Sequence, residues 1–149
     1  MVQVKSENKK KIGILGGTFD PAHKGHIKIS KEAKKRFGIE KIIWAITKKN
    51  PYKNKSSLSL KERIKYAKEI NLKNKFIKVN FYENIIKSNR TIDLIEYIKK
   101  KNKNTEVYFI MGADNLINFH KWKKSNLISS ICNILVFDRN GYKAKSLKS

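Results

Sequence analysis

The sequence predicts an α/β fold: a doubly wound parallel sheet with flanking helices. Three observations carry this. Short apolar runs at residues 11–15, 42–46, 106–111 and 133–137 alternate with longer stretches whose apolar residues recur at helical spacing. The runs are apolar enough for a sheet covered on both faces. The turn after the first run is rich in glycine and opens onto a helix-like segment, the alternation of a parallel sheet.

Taken in order, residues 1–10 are expected to be a loose basic leader. Residues 11–149 are expected to be a single domain, short at its C-terminal end. Residues 11–15 are the first strand. Pro21 is expected to fix the entrance of the first helix, over 26–37, with Ile27, Ile29, Ala33 and Phe37 inward and Gly38 ending it. Residues 41–46 are the second strand, and 47–57 a polar loop holding Pro51. Ser59 and Glu62 form a capping box, opening a helix to about residue 70 with Leu60, Ile64 and Ala67 as its core stripe. Residues 76–81 read as a short strand. Thr91 starts a helix carrying Ile92, Ile95 and Ile98 at helical spacing. A buried strand at 106–111, a short helix at 115–119 and a last strand at 133–137 complete the series.

Residues 16–26 are the most informative segment: Gly16-Gly17-Thr18-Phe19-Asp20-Pro21-Ala22-His23-Lys24-Gly25-His26. A glycine-rich turn between strand and helix offers backbone N–H groups and the positive end of a helix dipole, which favour a phosphate. His23 and His26 are three apart, so on a helix they share a face. Two imidazoles beside such a turn, with Thr18 close by, suit transfer at a phosphate better than binding alone. The plain alternative is an ordinary tight turn followed by an ordinary helix start. A second turn, Gly112-Ala113-Asp114, follows the strand at 106–111. If the two strands are neighbours, both turns open into one crevice.

The motif of residues 16–26 resembles the signature of the nucleotidyltransferase superfamily with its His-x-Gly-His unit. Together with residues 109–116 and Trp122, it is most similar to bacterial nicotinate-nucleotide adenylyltransferases. Asn50-Pro51-Tyr52-Lys53 and Arg90-Thr91-Ile92-Asp93-Leu94 resemble two further segments of that family. The resemblance spans about residues 11–139 and implies a Rossmann-like sheet. It implies adenylyl transfer from ATP, with Mg²⁺, to nicotinate mononucleotide, giving deamido-NAD and pyrophosphate. His23, His26 and Thr18 would then be catalytic. Gly16, Gly17, Phe19, Gly112 and Asp114 would bind ATP. Lys53, Thr91 and Trp122 would bind the mononucleotide. No protein ligand to the metal is implied. Each of the outlying residues also has an ordinary reading: Asp114 or Thr91 as a helix cap, Trp122 as an aromatic lid over the core, Lys53 as a solvated lysine, Asp20 as a turn residue. Two departures stand out. The family's Ser-Ser/Thr-x-x-Arg segment has no match in residues 140–149, and Arg90 stands where an aromatic residue is common. A related enzyme with another phosphate acceptor, or a non-catalytic nucleotide-binding protein, would share these residues.

Bulk properties narrow the field. The 149 residues carry a net charge of +23. The excess is mostly lysine scattered along the chain, with no dense basic block interleaved with aromatics, so specific nucleic-acid binding is not expected. The charge would still steer anionic nucleotides. No apolar run approaches the ~20 residues of a membrane helix, and residues 1–11 contain no apolar signal region. The single cysteine, Cys132, sits in an apolar run and reads as a buried structural thiol, which suits the cytoplasm.

Overall fold

The computed structural model describes residues 9–48, 58–113, 125–137 and 144–147. Their elements are β1 (Lys10–Gly17), α1 (Lys24–Phe37), β2 (Lys41–Ile46), α2 (Leu60–Ile70), β3 (Ile77–Asn80), α3 (Glu83–Ile86), α4 (Thr91–Lys101), β4 (Thr105–Gly112), α5 (Ser125–Ile131), β5 (Asn133–Phe137) and β6 (Ala144–Leu147). The strands form one sheet in the order β3-β2-β1-β4-β5-β6. The first five are parallel neighbours, which bears out the expected sheet. β6 adds an antiparallel edge, pairing Phe137 with Ala144 and Ile134 with Leu147. Only residues 138–143 separate β5 from β6, too few for the crossover of about a dozen residues that a parallel neighbour needs.

Two apolar layers enclose the sheet. Side chains alternate along β1, so Leu15 joins Trp44, Ile110 and Leu135 under α1 and α2, which contribute Ala33 and Ala67. Ile12 and Ile14 face the opposite way, onto Ile92, Ile95 and Ile98 of α4 and Ile128 of α5. Helices on both faces explain why the strands are apolar throughout. No helix among the described residues is long and apolar enough to cross a membrane.

Local chemistry sets the helix ends. Ser59 Oγ accepts from Glu62 N at 3.1 Å, and Glu62 Oε1 accepts from Ser59 N at 3.0 Å, the expected capping box. The Glu62 carboxyl is held below its usual range by hydrogen bonding from Ser59, its backbone N–H leading and its hydroxyl second. α1 ends at Gly38, whose φ of +68° places it in the left-handed region. Lys11 Nζ donates to the Phe37 carbonyl at 3.1 Å, adding a cation where the helix dipole is negative. Burial pushes the half-buried Cys132 thiol up to about 12, with Lys99 opposing, so it stays a neutral thiol.

Two expectations are corrected. Gly16 and Gly17 belong to β1 rather than to a turn: they pair with Ala45 and Ile46 of β2, and Thr47 N donates to the Gly17 carbonyl at 2.8 Å. The pairing of β1 with β2 carries the strand past its apolar run. Pro21 does not open the helix either. α1 begins at Lys24, because His23 in extended conformation takes the cap.

Candidate active site

The strand order reverses between β1 and β4, which are hydrogen-bonded neighbours. Doubly wound sheets place their ligand crevice at this point. Here the carboxyl ends of β1, β2, β4 and β5 border a cavity of about 650 Å³. Gly16, Gly17, His23 and His26 line it together with Gly112 at the end of β4 and Thr91 at the start of α4. The two glycine segments singled out from the sequence, at Gly16-Gly17 and Gly112-Ala113, therefore line one crevice.

His23 and His26 do not share a helix face as their spacing suggested. They build a capping box of their own. His23 is the N-cap of α1, and its Nδ1 accepts from Gly25 N at 3.0 Å. His26 is the third helical residue, and its Nδ1 accepts from His23 N at 3.1 Å. A nitrogen that accepts carries no proton, so each neutral ring holds its proton on Nε2. The ring centroids lie 4.0 Å apart. Burial, then the neighbouring His23, lowers the His26 pKa to about 4, so this ring is neutral at physiological pH. Gly25 is required by the same geometry. A Cβ there would lie 2.8 Å from His23 Cε1 and 2.9 Å from its Nδ1.

An aromatic stack supports the pair from behind. Phe19 lies 4.5 Å from His26 and 4.9 Å from Trp44, between centroids. Trp44 Nε1 donates to Ser30 Oγ at 2.9 Å, and Ser30 Oγ donates to the His26 carbonyl at 2.9 Å. Trp44 and Ser30 are fully buried. The sequence reading missed both as site residues. Ser30 lies four residues after His26, a back-bonding spacing that could have signalled the link.

The connections beside this stack are cross-tied. Asp20 lies in the turn at residues 20–21, as expected, and also reaches across the chain: its Oδ1 accepts from Leu58 N at 2.9 Å. Arg63 of α2 is buried and donates to the carbonyls of Thr18, Thr47, Lys48 and Leu58. Arg63 was also missed, although it lies four residues before Ala67 on the buried stripe.

Thr18 and Phe19 flank the cavity without lining it. The Phe19 ring is buried in the stack, and its φ of +50° turns the chain sharply after β1. Thr91, which lines the cavity, is the first residue of α4. The N-cap, Arg90, makes no side-chain cap hydrogen bond and pairs instead with Asp93 at 2.9 Å. The first turn of α4, which carries Asp93, thus meets the cavity at Thr91 without a cap bond from the side chain of its N-cap residue. Asp114, Lys53 and Trp122 lie outside the described residues.

A sheet with its crevice at the switch point and paired imidazoles on the first helix defines a nucleotidyltransferase-type site. The cytidylyltransferase-like family model matches residues 14–148. The "Probable nicotinate-nucleotide adenylyltransferase" of Pelagibacter ubique (strain HTCC1062) is 67% identical over 144 residues, covering 97% of this chain and 79% of that protein. The protein of the same name from Rhizobium meliloti (strain 1021) is 36% identical over 131 residues, covering 87% of this chain and 69% of its own. Among solved structures, Plasmodium falciparum nicotinic acid mononucleotide adenylyltransferase complexed with NaAD shares the fold at a TM-score of 0.73 and 21% identity, over 90% of this chain and 67% of that one. The chain belongs to the nicotinate-nucleotide adenylyltransferase family.

Proposed function

We propose that the protein transfers the adenylyl group of ATP to nicotinate mononucleotide, giving deamido-NAD and pyrophosphate. The observation that carries this reading is the tautomer of the histidine pair. With both Nδ1 atoms occupied by backbone N–H groups, both Nε2–H groups are available as preoriented donors beside the cavity.

The chemistry asks for little else. An oxygen of the acceptor phosphate attacks the α-phosphorus of ATP, the bond to the bridging oxygen breaks, and that oxygen leaves on pyrophosphate. The acceptor is already ionised at neutral pH, so no general base is needed. Catalysis reduces to alignment and to stabilising charge on the phosphoryl oxygens. His23 and His26 donate to those oxygens through Nε2. Thr18 and the amides near Gly17 and Phe19 hold the phosphate loop side. Gly16, Gly17 and Gly112 leave room for ATP, with Asp114 as its partner beyond Gly112. Thr91 and the first turn of α4 receive an anionic group of the mononucleotide at the helix N-terminus, assisted by Lys53 and Trp122. A volume of about 650 Å³ lies in the range of small-molecule sites.

The donor set fits Mg²⁺ carried by ATP rather than a metal caged by protein. Among the described residues no group of three His, Cys, Asp or Glu is placed to hold an ion. Triphosphate oxygens and water would supply most ligands, as hard Mg²⁺ prefers. When bound, the ion neutralises charge on the triphosphate.

The test is pyrophosphate release from ATP and Mg²⁺ with nicotinate mononucleotide and, separately, nicotinamide mononucleotide. Release with the first acceptor and loss in His26→Ala is the expected result. Equal signals from wild type and His26→Ala would overturn the reading.

A further inference from the structure

We propose that Arg63 is a positioning residue for the nucleotide site, fixing the β1–α1 connection and the segment after β2 to one another. Its side chain is buried, at 5% exposure. Nε donates to Leu58 O at 3.2 Å. Nη1 donates to Thr18 O at 2.9 Å and Thr47 O at 2.8 Å, and Nη2 donates to Lys48 O. Every one of these acceptors is a backbone carbonyl. No ion pair ties Arg63 to a carboxylate among the described residues.

A buried cation without a counter-ion is a costly way to fill a helix face. Leu60 and Ala67, neighbours on the same helix, fill theirs with apolar groups. What a guanidinium adds is a planar fork of five N–H donors that reaches several acceptors in fixed directions. At this point three chain segments meet, just beyond the last bond of the β1–β2 ladder, from Thr47 N to Gly17 O. One side chain satisfies carbonyls from all three.

The orientation of those carbonyls has a consequence at the site. In a trans peptide the N–H points opposite to the C=O. With Thr18 O turned to Arg63, the Phe19 N–H is turned away from it. With Thr47 O turned to Arg63, the Lys48 N–H is turned away too, and donates to Glu83 Oε1 at 3.2 Å. Glu83 and Thr47 line the cavity. Phe19, held at φ +50°, carries the ring that backs His26 at 4.5 Å. Arg63 therefore acts on the imidazole through the Thr18 carbonyl and the Phe19 ring.

The kinetic part of the test rests on the proposed activity; the exchange part does not. Arg63→Lys keeps the charge but has one nitrogen, and Arg63→Ala leaves room for an added cation. Both variants are assayed by melting, by steady-state kinetics and by hydrogen exchange at Thr47, Lys48 and Leu58, whose amides are bonded in the native protein. The expected result is folded Arg63→Lys with kcat reduced about tenfold or more and a much smaller change in the KM for ATP. Methylguanidinium, but not methylammonium, should restore activity to Arg63→Ala. Exchange should rise at the three amides while β4 and β5 stay protected. Folded Arg63→Lys with kcat/KM within about twofold of wild type overturns the proposal. So does activity loss in both variants that tracks loss of folded protein, without rescue. If the wild type itself releases no pyrophosphate, the functional reading falls alone. Exchange then decides: local deprotection supports the positioning role, and unchanged protection refutes it.

Discussion

Acidification should unfold this protein partly through one imidazole. His26 is neutral in the folded chain, its pKa lowered from 6.5 to about 4 by burial and then by His23. In the unfolded chain it titrates near the ordinary value. Between those two values the unfolded state binds a proton that the folded state refuses, so stability falls as pH falls. The contribution is complete above 6.5 and lost on the way down to about 4. Every tenfold loss of proton affinity on folding corresponds to about 1.4 kcal/mol. The full interval would give about 3 kcal/mol, and solvent reaching this half-buried ring reduces that to about 1–2 kcal/mol. The assay is urea unfolding of wild type and His26→Gln at pH about 7.5 and about 5, with equal m-values required. Carboxylate protonation affects both proteins alike, so the difference between them isolates the imidazole. Wild type should lose more stability than His26→Gln by about 1 kcal/mol or more. Equal losses, or a long-range ¹H–¹⁵N spectrum showing His26 protonated on Nδ1, would refute the reasoning.

Three substitutions probe the frame around that ring. Gly25→Ala places a Cβ 2.8 Å from His23 Cε1; kcat/KM should fall about 10- to 100-fold, with only a small change in melting temperature, because the ring is moved rather than removed. Ser30→Ala strips the acceptor from buried Trp44 Nε1 and should cost about 1–3 kcal/mol in chemical denaturation. Ser59→Ala removes one half of the α2 capping box and should cost about 1 kcal/mol, leaving nucleotide affinity unchanged in titration calorimetry.

The sheet was legible because its strands are buried on both faces and so read as apolar runs. β2 and β5 appear where residues 41–46 and 133–137 place them. The box at Ser59 and Glu62 was legible because capping chemistry is local. Tertiary pairing was not. Gly16 and Gly17 look like a turn in isolation and become strand only because β2 lies alongside them. Spacing alone put His23 and His26 on a helix face, since a histidine N-cap lies outside the usual Ser, Thr, Asp and Asn. Arg63 hid among 35 Lys and Arg residues, its acceptors up to 45 positions away. β6 and α5 carry no strong signal: one is four residues at an edge, the other a seven-residue helix with two serines in its last turn.

Trp44 gives the molecule an optical use. Its indole is stacked on Phe19 and lies 5.7 Å from His26, shielded from solvent. A charged imidazolium quenches an excited indole far more strongly than a neutral imidazole does. Only one other tryptophan, Trp122, is present, so Trp122→Phe leaves a single emitter. Its brightness should hold steady down to pH about 5 and dim only as His26 gains its proton near 4. The side chain stacked behind Phe19 and His26 would thus serve as an internal lamp for the charge state of that imidazole, readable in an unlabelled protein.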